Sequence, residues 1–229
     1  MKTKVISLLL CLGMIVACNN TQKGAAIGAG GGAVLGGIIG AIAGNTAIGA
    51  AVGGAVGAGA GAIIGKKMDK AKAEAQKVQN AQVETVTDAN GLQAVKVTFD
   101  SGILFTTGSS TLSSTAKNSL TQFSNVLKGN ADCDVAVQGY TDNAGWKNST
   151  AEQSQQKNLN LSQQRAQAVT NYLQSLGVSS TQIRSTTGFG EANPVADNST
   201  AAGKAQNRRV EVYMYASQKM IQEAEAQAN

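Results

Sequence analysis

No histidine occurs anywhere in the 229 residues. That removes the commonest general base and the commonest metal ligand of proteins. Cysteine is scarce, at positions 11, 18 and 133, with no CxxC pair and no metal-ligand spacing. The chain therefore offers neither a nucleophile–base pair nor a metal cluster, and the expectation is a non-catalytic protein with no cofactor and no metal. The formal charge is +5, and two of the cations, Lys2 and Lys4, fall in a segment expected to be removed. So weak a balance does not argue for nucleic acid as a partner. Aromatics make up 4% of the chain and proline occurs once, whereas glycine occurs 27 times and concentrates between 24 and 65, so the averages describe a composite protein.

The first residues, "MKTKVISLLLCLGMIVACNN", place Lys2 and Lys4 before an apolar core that ends at Ala17, followed by Cys18. A basic start, a short apolar stretch and a small residue are the parts of an export signal, here residues 1–17. The apolar core is too short to span a bilayer core of about 30 Å. "Ile-Val-Ala-Cys" resembles the bacterial lipobox, which implies that Cys18 is lipidated and becomes the mature N-terminus, with 18–23 as its lead. Asn19 after it favours, by the same resemblance, the outer membrane, reached through a lipid anchor. Cys133 would then be the one thiol left, read as a small buried residue at a strand entrance.

Residues 24–65 place glycine at 24, 28, 32, 36, 40 and 44, then, after Asn45-Thr46, at 49, 53, 57, 61 and 65. Residues four apart share a helix face, so each run would carry a glycine groove. Interior glycine is costly in water, by about 1 kcal/mol relative to alanine, but it lets apolar helices approach closely. Ile27, Val34, Leu35, Ile38 and Ile39 are interleaved with the glycines, unlike a polar linker. The segment resembles the glycine-zipper regions of bacterial envelope lipoproteins. It is read as a helical hairpin that packs on itself, on copies of itself in a homo-oligomer, or into the membrane. Residues 66–91 then mix charges of both signs with Ala and Gln, the composition of a solvated helical spacer.

From Leu92 to about 216 the pattern alternates. "LQAVKVTF", "DVAVQGY", "IRSTTGFG" and "RRVEVYMYA" read as four strands. "SSTAKNSLTQFSNVLKG" and residues near 150–176 read as amphipathic helices, the second opening with Ser149 and Glu152 at capping-box spacing. The expected fold is α+β, a mixed four-stranded sheet covered by helices, with 217–229 a polar tail. In the long helix Arg165 falls in the middle of the apolar stripe of Leu161, Ala168, Val169, Tyr172 and Leu173. A half-buried arginine must meet an anion, because it cannot be neutralised by deprotonation. Asp142, in "GYTD", stands at the C-terminal end of a strand, where open sheets place ligands. An internal Asp142–Arg165 ion pair and a binding site both satisfy this pattern.

Four motifs in order, "GYTDNAG", "NLNLSQQRAQAV", "GFGEANPVADN" and "NRRVEVYM", resemble the OmpA-like peptidoglycan-binding domain over residues 92–216. The resemblance implies that Asp142 binds the ammonium of diaminopimelate in a peptidoglycan stem peptide and that Arg165 binds its carboxylate. Thr141 and Asn158 match neighbouring pocket positions. It further implies an outer-membrane lipoprotein whose C-terminal domain lies in the periplasm and tethers the membrane to the wall. The other reading is a membrane-active or self-assembling envelope protein, with wall binding as an accessory. The sequence departs from the family's pattern in three places. Thr106 replaces the usual aspartate after Phe105, Tyr140 replaces the usual histidine, and the stretch from Gly145 to Asn158 is longer than the common form. Trp146 in that stretch reads as packing rather than pocket rim. Of Arg208 and Arg209, one is expected to tie down the last strand and the other to serve the site.

Overall fold

The computed structural model describes residues 56–88, 91–106 and 108–228. The export signal, Cys18 and the glycine run up to residue 55 lie outside the described residues. In chain order the elements are helix α1 (Ala58–Ala75), strands β1 (Ala81–Thr87) and β2 (Gln93–Asp100), a helical turn α2 (Ser101–Leu104), helix α3 (Ser114–Gly129), strand β3 (Cys133–Gly139), helix α4 (Ala151–Ser175), strand β4 (Ile183–Gly188), helix α5 (Ala201–Asn207), strand β5 (Arg209–Ala216) and helix α6 (Gln218–Ala228).

One sheet runs in the order β1-β2-β5-β3-β4. Its pairs are antiparallel except β3–β4, which is parallel and joined by α4 as the crossover. The α+β class agrees with expectation, but the sheet has five strands, not four. The extra strand is β1, inside the stretch read as a helical spacer. It hides because only Val86 of its seven residues is fully buried, and Ala, Gln and Glu in it favour helix locally. Pairing with β2, in the register Val83↔Val97 and Thr85↔Val95, overrides that preference.

The spacer's other half is not solvated either. Helix α1 starts inside the second glycine run and continues through Lys66 and Lys67 to Ala75. Ala60, Ile64, Met68, Ala71 and Ala75 form a stripe at helical spacing that is buried in the main core. They pack α1 against β2 and α6, and Lys67 pairs with Asp132 at 2.7 Å. The polar tail is likewise a helix, α6, which buries Met220, Ile221 and Ala224 in the same core. No helix of the described residues is long and apolar enough to cross a membrane.

The core lies between the helices and one face of the sheet. Leu120, Phe123 and Leu127 of α3 and Val169 and Leu173 of α4 meet Val97, Phe99, Val135, Val137, Val210, Val212 and Met214. Strand alternation sends Tyr213 to the other face, with Ala94, Ala136 and Val86. Cys133 is buried at the entrance of β3, as expected.

Helix α3 begins where Ser113 Oγ accepts from the Ala116 amide at 2.9 Å. Helix α4 begins with a reciprocal capping box, formed by Thr150 and Gln153, one residue beyond the expected Ser149 and Glu152. It stops at Gly177, whose φ of +90° gives the left-handed turn that ends a helix.

Candidate functional site

Two glycines put α4 on the sheet. A Cβ at Gly139 of β3 or at Gly188 of β4 would collide with α4 backbone at Ser162 and Gln163. With glycine at both, the helix backbone lies directly on the strand ends. The amide of Gly188 donates to Gln163 Oε1 at 2.7 Å and that of Gly190 donates to Ser162 Oγ at 2.8 Å. Arg165 follows on the same buried stripe as Ser162, Ala166 and Val169.

Beyond β3 the chain turns at Thr141, whose amide donates to the Gly190 carbonyl at 2.8 Å, and Asp142 follows. Asp142, Arg165, Thr141 and Asn158, the four residues expected from sequence, all line one cleft of about 500 Å³. Phe105, Trp146, Lys147 and Arg208 are among the other lining residues.

Arg165 is only 4% exposed. Its Nε donates to the Ser109 carbonyl at 3.0 Å, and its guanidinium lies 5.2 Å from the centroid of the Phe105 ring. Among the described residues it makes no ion pair. Burial, then repulsion from Arg208, lowers its pKa, and Asp142 raises it in part. The internal Asp142–Arg165 pair that the sequence allowed is therefore not the arrangement found. Asp142 Oδ2 instead accepts from Arg208 Nη1 at 2.5 Å, and its Oδ1 accepts from the Ala144 amide at 3.0 Å.

Arg208 caps α5 and Arg209 opens β5, and the two side chains part: Arg208 lines the cleft and Arg209 does not. Arg209 ties the last strand down: Nε donates to Glu211 Oε1 at 2.7 Å, and Nη2 donates to the Asn193 carbonyl. It also stacks over Tyr140, 3.9 Å from the ring centroid. Tyr140 stacks in turn on Phe189 and donates to Gln138, away from the cleft lining. Which arginine enters the cleft depends on register, and no local sequence signal carried it.

Asn158 acts as a brace. Its Nδ2 donates to the Ala144 carbonyl at 3.2 Å and at 3.5 Å to that of Asp142, and its Oδ1 accepts from Trp146 Nε1 at 2.8 Å. Trp146, read from sequence as packing, stands half-buried in the cleft wall. Thr106, in place of the usual aspartate, is exposed and lies outside the lining. Two buried hydroxyls in the lining, Ser101 Oγ and Thr141 Oγ1, have no protein hydrogen-bond partner. The cleft thus offers one carboxylate, two guanidiniums and two spare hydroxyls, a set suited to a small ligand bearing both charges.

Comparison with known proteins bears on this arrangement. Residues 104–208 match the OmpA family, and residues 1–69 match the YMGG-like Gly-zipper model. The chain is 38% identical over 149 residues to the probable lipoprotein YiaD of Escherichia coli (strain K12), covering 65% of this chain and 63% of that protein. It is 42% identical over 93 residues to the peptidoglycan-binding protein ArfA of Mycobacterium tuberculosis (strain ATCC 25618 / H37Rv), covering 41% of this chain and 26% of that one. It therefore spans less than two thirds of the length of either curated relative. Among solved structures, the cell wall anchor of the T6SS from Pseudomonas aeruginosa superposes with a TM-score of 0.52 at 27% identity, over 66% of this chain and 97% of that one. Residues 104–208 are a domain of the OmpA family, set in a chain whose N-terminal part is a YMGG-like Gly-zipper segment.

Proposed function

We propose that the cleft binds peptidoglycan without catalysis, by holding the free zwitterionic end of diaminopimelate in a stem peptide. Buried Arg165 is the observation that carries this reading: a guanidinium at 4% exposure, with no carboxylate partner among the described residues, calls for an anion. Its Nε is engaged by the Ser109 carbonyl, so the two terminal nitrogens are the ones that face a ligand carboxylate, in a bidentate pair. Asp142 receives the ammonium. Arg208 and the Ala144 amide each use one acceptor site on it, and a carboxylate has about four. Thr141 adds a hydroxyl, and Asn158 holds the loop that carries Asp142. The names of the peptidoglycan-binding protein ArfA and of the T6SS cell wall anchor support the coarser part of this reading, peptidoglycan as the partner.

With Cys18 acylated, such binding would tether the outer membrane to the wall, the folded domain standing in the periplasm. The glycine-zipper segment would pack the anchored end against the membrane or against further copies.

Pelleting of the full chain, in detergent, with purified diaminopimelate-type peptidoglycan tests the reading. Binding should be lost in Arg165→Ala and in Asp142→Ala, and soluble diaminopimelate should compete. Equal pelleting with lysine-type peptidoglycan would sink it. Mass spectrometry of the mature N-terminus tests the anchor, and an unmodified Cys18 would rule it out.

A further inference from the structure

The zwitterion site uses only part of the cleft. Gly145, Trp146 and Lys147 line the rest, and they come from the stretch between Asp142 and the start of α4. This stretch is built rather than loose. Asn148, at φ +56°, turns it back toward the cap of α4 at Thr150. The Trp146 amide donates to Ser154 Oγ at 3.0 Å, and the indole N–H donates to Asn158 Oδ1 at 2.8 Å. Both acceptors are buried. Lys157 Nζ lies 5.8 Å from the indole centroid and donates to Ser149 Oγ at 2.8 Å.

The polar edge of the indole is thereby used up, and what remains for the cleft is carbon. A half-buried aromatic ring already fixed on two sides loses little freedom when a ligand covers it. Lys147, beside it, is exposed and forms no ion pair among the described residues. An apolar plate next to an unpaired cation suits a short chain of peptide bonds that carries a carboxylate.

We propose that Trp146 and Lys147 form a second subsite of the cleft, which takes the acidic peptide arm attached to the amino-acid end held by Asp142 and Arg165. The arm's backbone lies on the indole, and its carboxylate meets the Lys147 amine. The proposal rests on the peptidoglycan reading above, and its test separates the two.

The probes are free meso-diaminopimelate and the tripeptide L-alanyl-γ-D-glutamyl-meso-diaminopimelate, titrated calorimetrically into the full chain in detergent. Trp146 is the chain's only tryptophan, so quenching or a shift of its emission reads occupancy independently in the unsubstituted protein. The tripeptide should bind about tenfold more tightly than the free amino acid. Trp146→Ala should remove about that tenfold and Lys147→Gln about threefold of it, with affinity for free diaminopimelate unchanged. Trp146→Phe should restore most of the difference. Equal tripeptide affinity in Trp146→Ala overturns the subsite and leaves the zwitterion site standing. Loss of both ligands in Trp146→Ala also overturns it, because Trp146 would then act only by bracing Asn158 and the Asp142 loop. If neither probe binds the unsubstituted protein, the peptidoglycan reading itself fails and the subsite with it.

Discussion

Arg208 donates from Nη1 to Asp142 Oδ2 at 2.5 Å, joining positions 66 residues apart in the chain. The pair sets the charge of the cleft, because Asp142 is the one carboxylate among lining residues that include Arg165, Arg208 and Lys147. Asp142→Ala leaves two guanidiniums facing each other without a counter-charge. It is expected to lower the unfolding free energy by about 1–3 kcal/mol as well as to end wall binding. Arg208→Gln should cost less than about 1 kcal/mol, since the Arg208 side chain is 38% exposed and the pair is partly screened. Urea titrations of the two variants check this. An Asp142→Ala protein as stable as its parent would show that the pair plays no part in charge balance.

Helix α1 and strand β1 belong to the folded domain although both lie outside the OmpA-family match. A fragment beginning at residue 92 loses Ile64, Met68, Ala71, Ala75 and Val86 from buried positions and strips β2 of a neighbour. It is expected to aggregate or melt early, whereas a fragment beginning at residue 56 should unfold cooperatively. Within the full chain, Met68→Ala should cost about 2–5 kcal/mol, as for other buried methionines. A stable, monomeric 92–229 fragment in a circular-dichroism melt would show α1 to be an appendage.

Stability should fall on the alkaline side. Burial pushes the Cys133 thiol from near 9 up to about 12, and pushes Tyr215 from 10 up to about 12. Burial also raises Tyr140 and Tyr213, with the Glu211 charge adding to it. The unfolded chain therefore loses these protons first, so it is favoured increasingly from about pH 9 upward, and the share of Cys133 and Tyr215 is fully lost near pH 12 while that of Tyr140 and Tyr213 is still growing. Cys133→Ala should flatten the first part of that decline, between pH 9 and 10, before the tyrosines contribute. Urea midpoints at pH 8, 9, 10 and 11 for both proteins measure it, and parallel curves would contradict the thiol's share.

Much of the site was legible in the chain. Arg165 stood out because a charge in an apolar helical stripe breaks the pattern, and Asp142 because it closes a strand just before a turn-rich stretch. What stayed hidden depends on contacts distant in sequence. The buried stripe of α1 runs across the boundary between glycine-rich and charged composition, so neither half shows it alone. β1 is half-exposed and pairs on one side only, so its residues carry little of the usual strand signal. Choosing Arg208 over Arg209 for the cleft needs the register of β5 against β2 and β3, which places Arg209 opposite Asp100 and Val210 opposite Gly139. Trp146 was taken for packing because the acceptor that turns its indole edge, Asn158, lies on another element.

The most direct test concerns Arg165, whose burial without a carboxylate partner among the described residues is the observation on which the proposed function rests. Arg165→Met keeps an unbranched apolar stem in place of the arginine's and removes the guanidinium and its charge. The measurement is calorimetric affinity of the full chain for the diaminopimelate tripeptide, paired with a urea titration of the same protein. The expected result is an unfolding free energy unchanged or raised by about 1–4 kcal/mol, together with a binding loss of about 2–5 kcal/mol. Arg165→Met protein that binds the tripeptide like its parent, or that loses stability in step with binding, would contradict the assignment of Arg165 to the ligand.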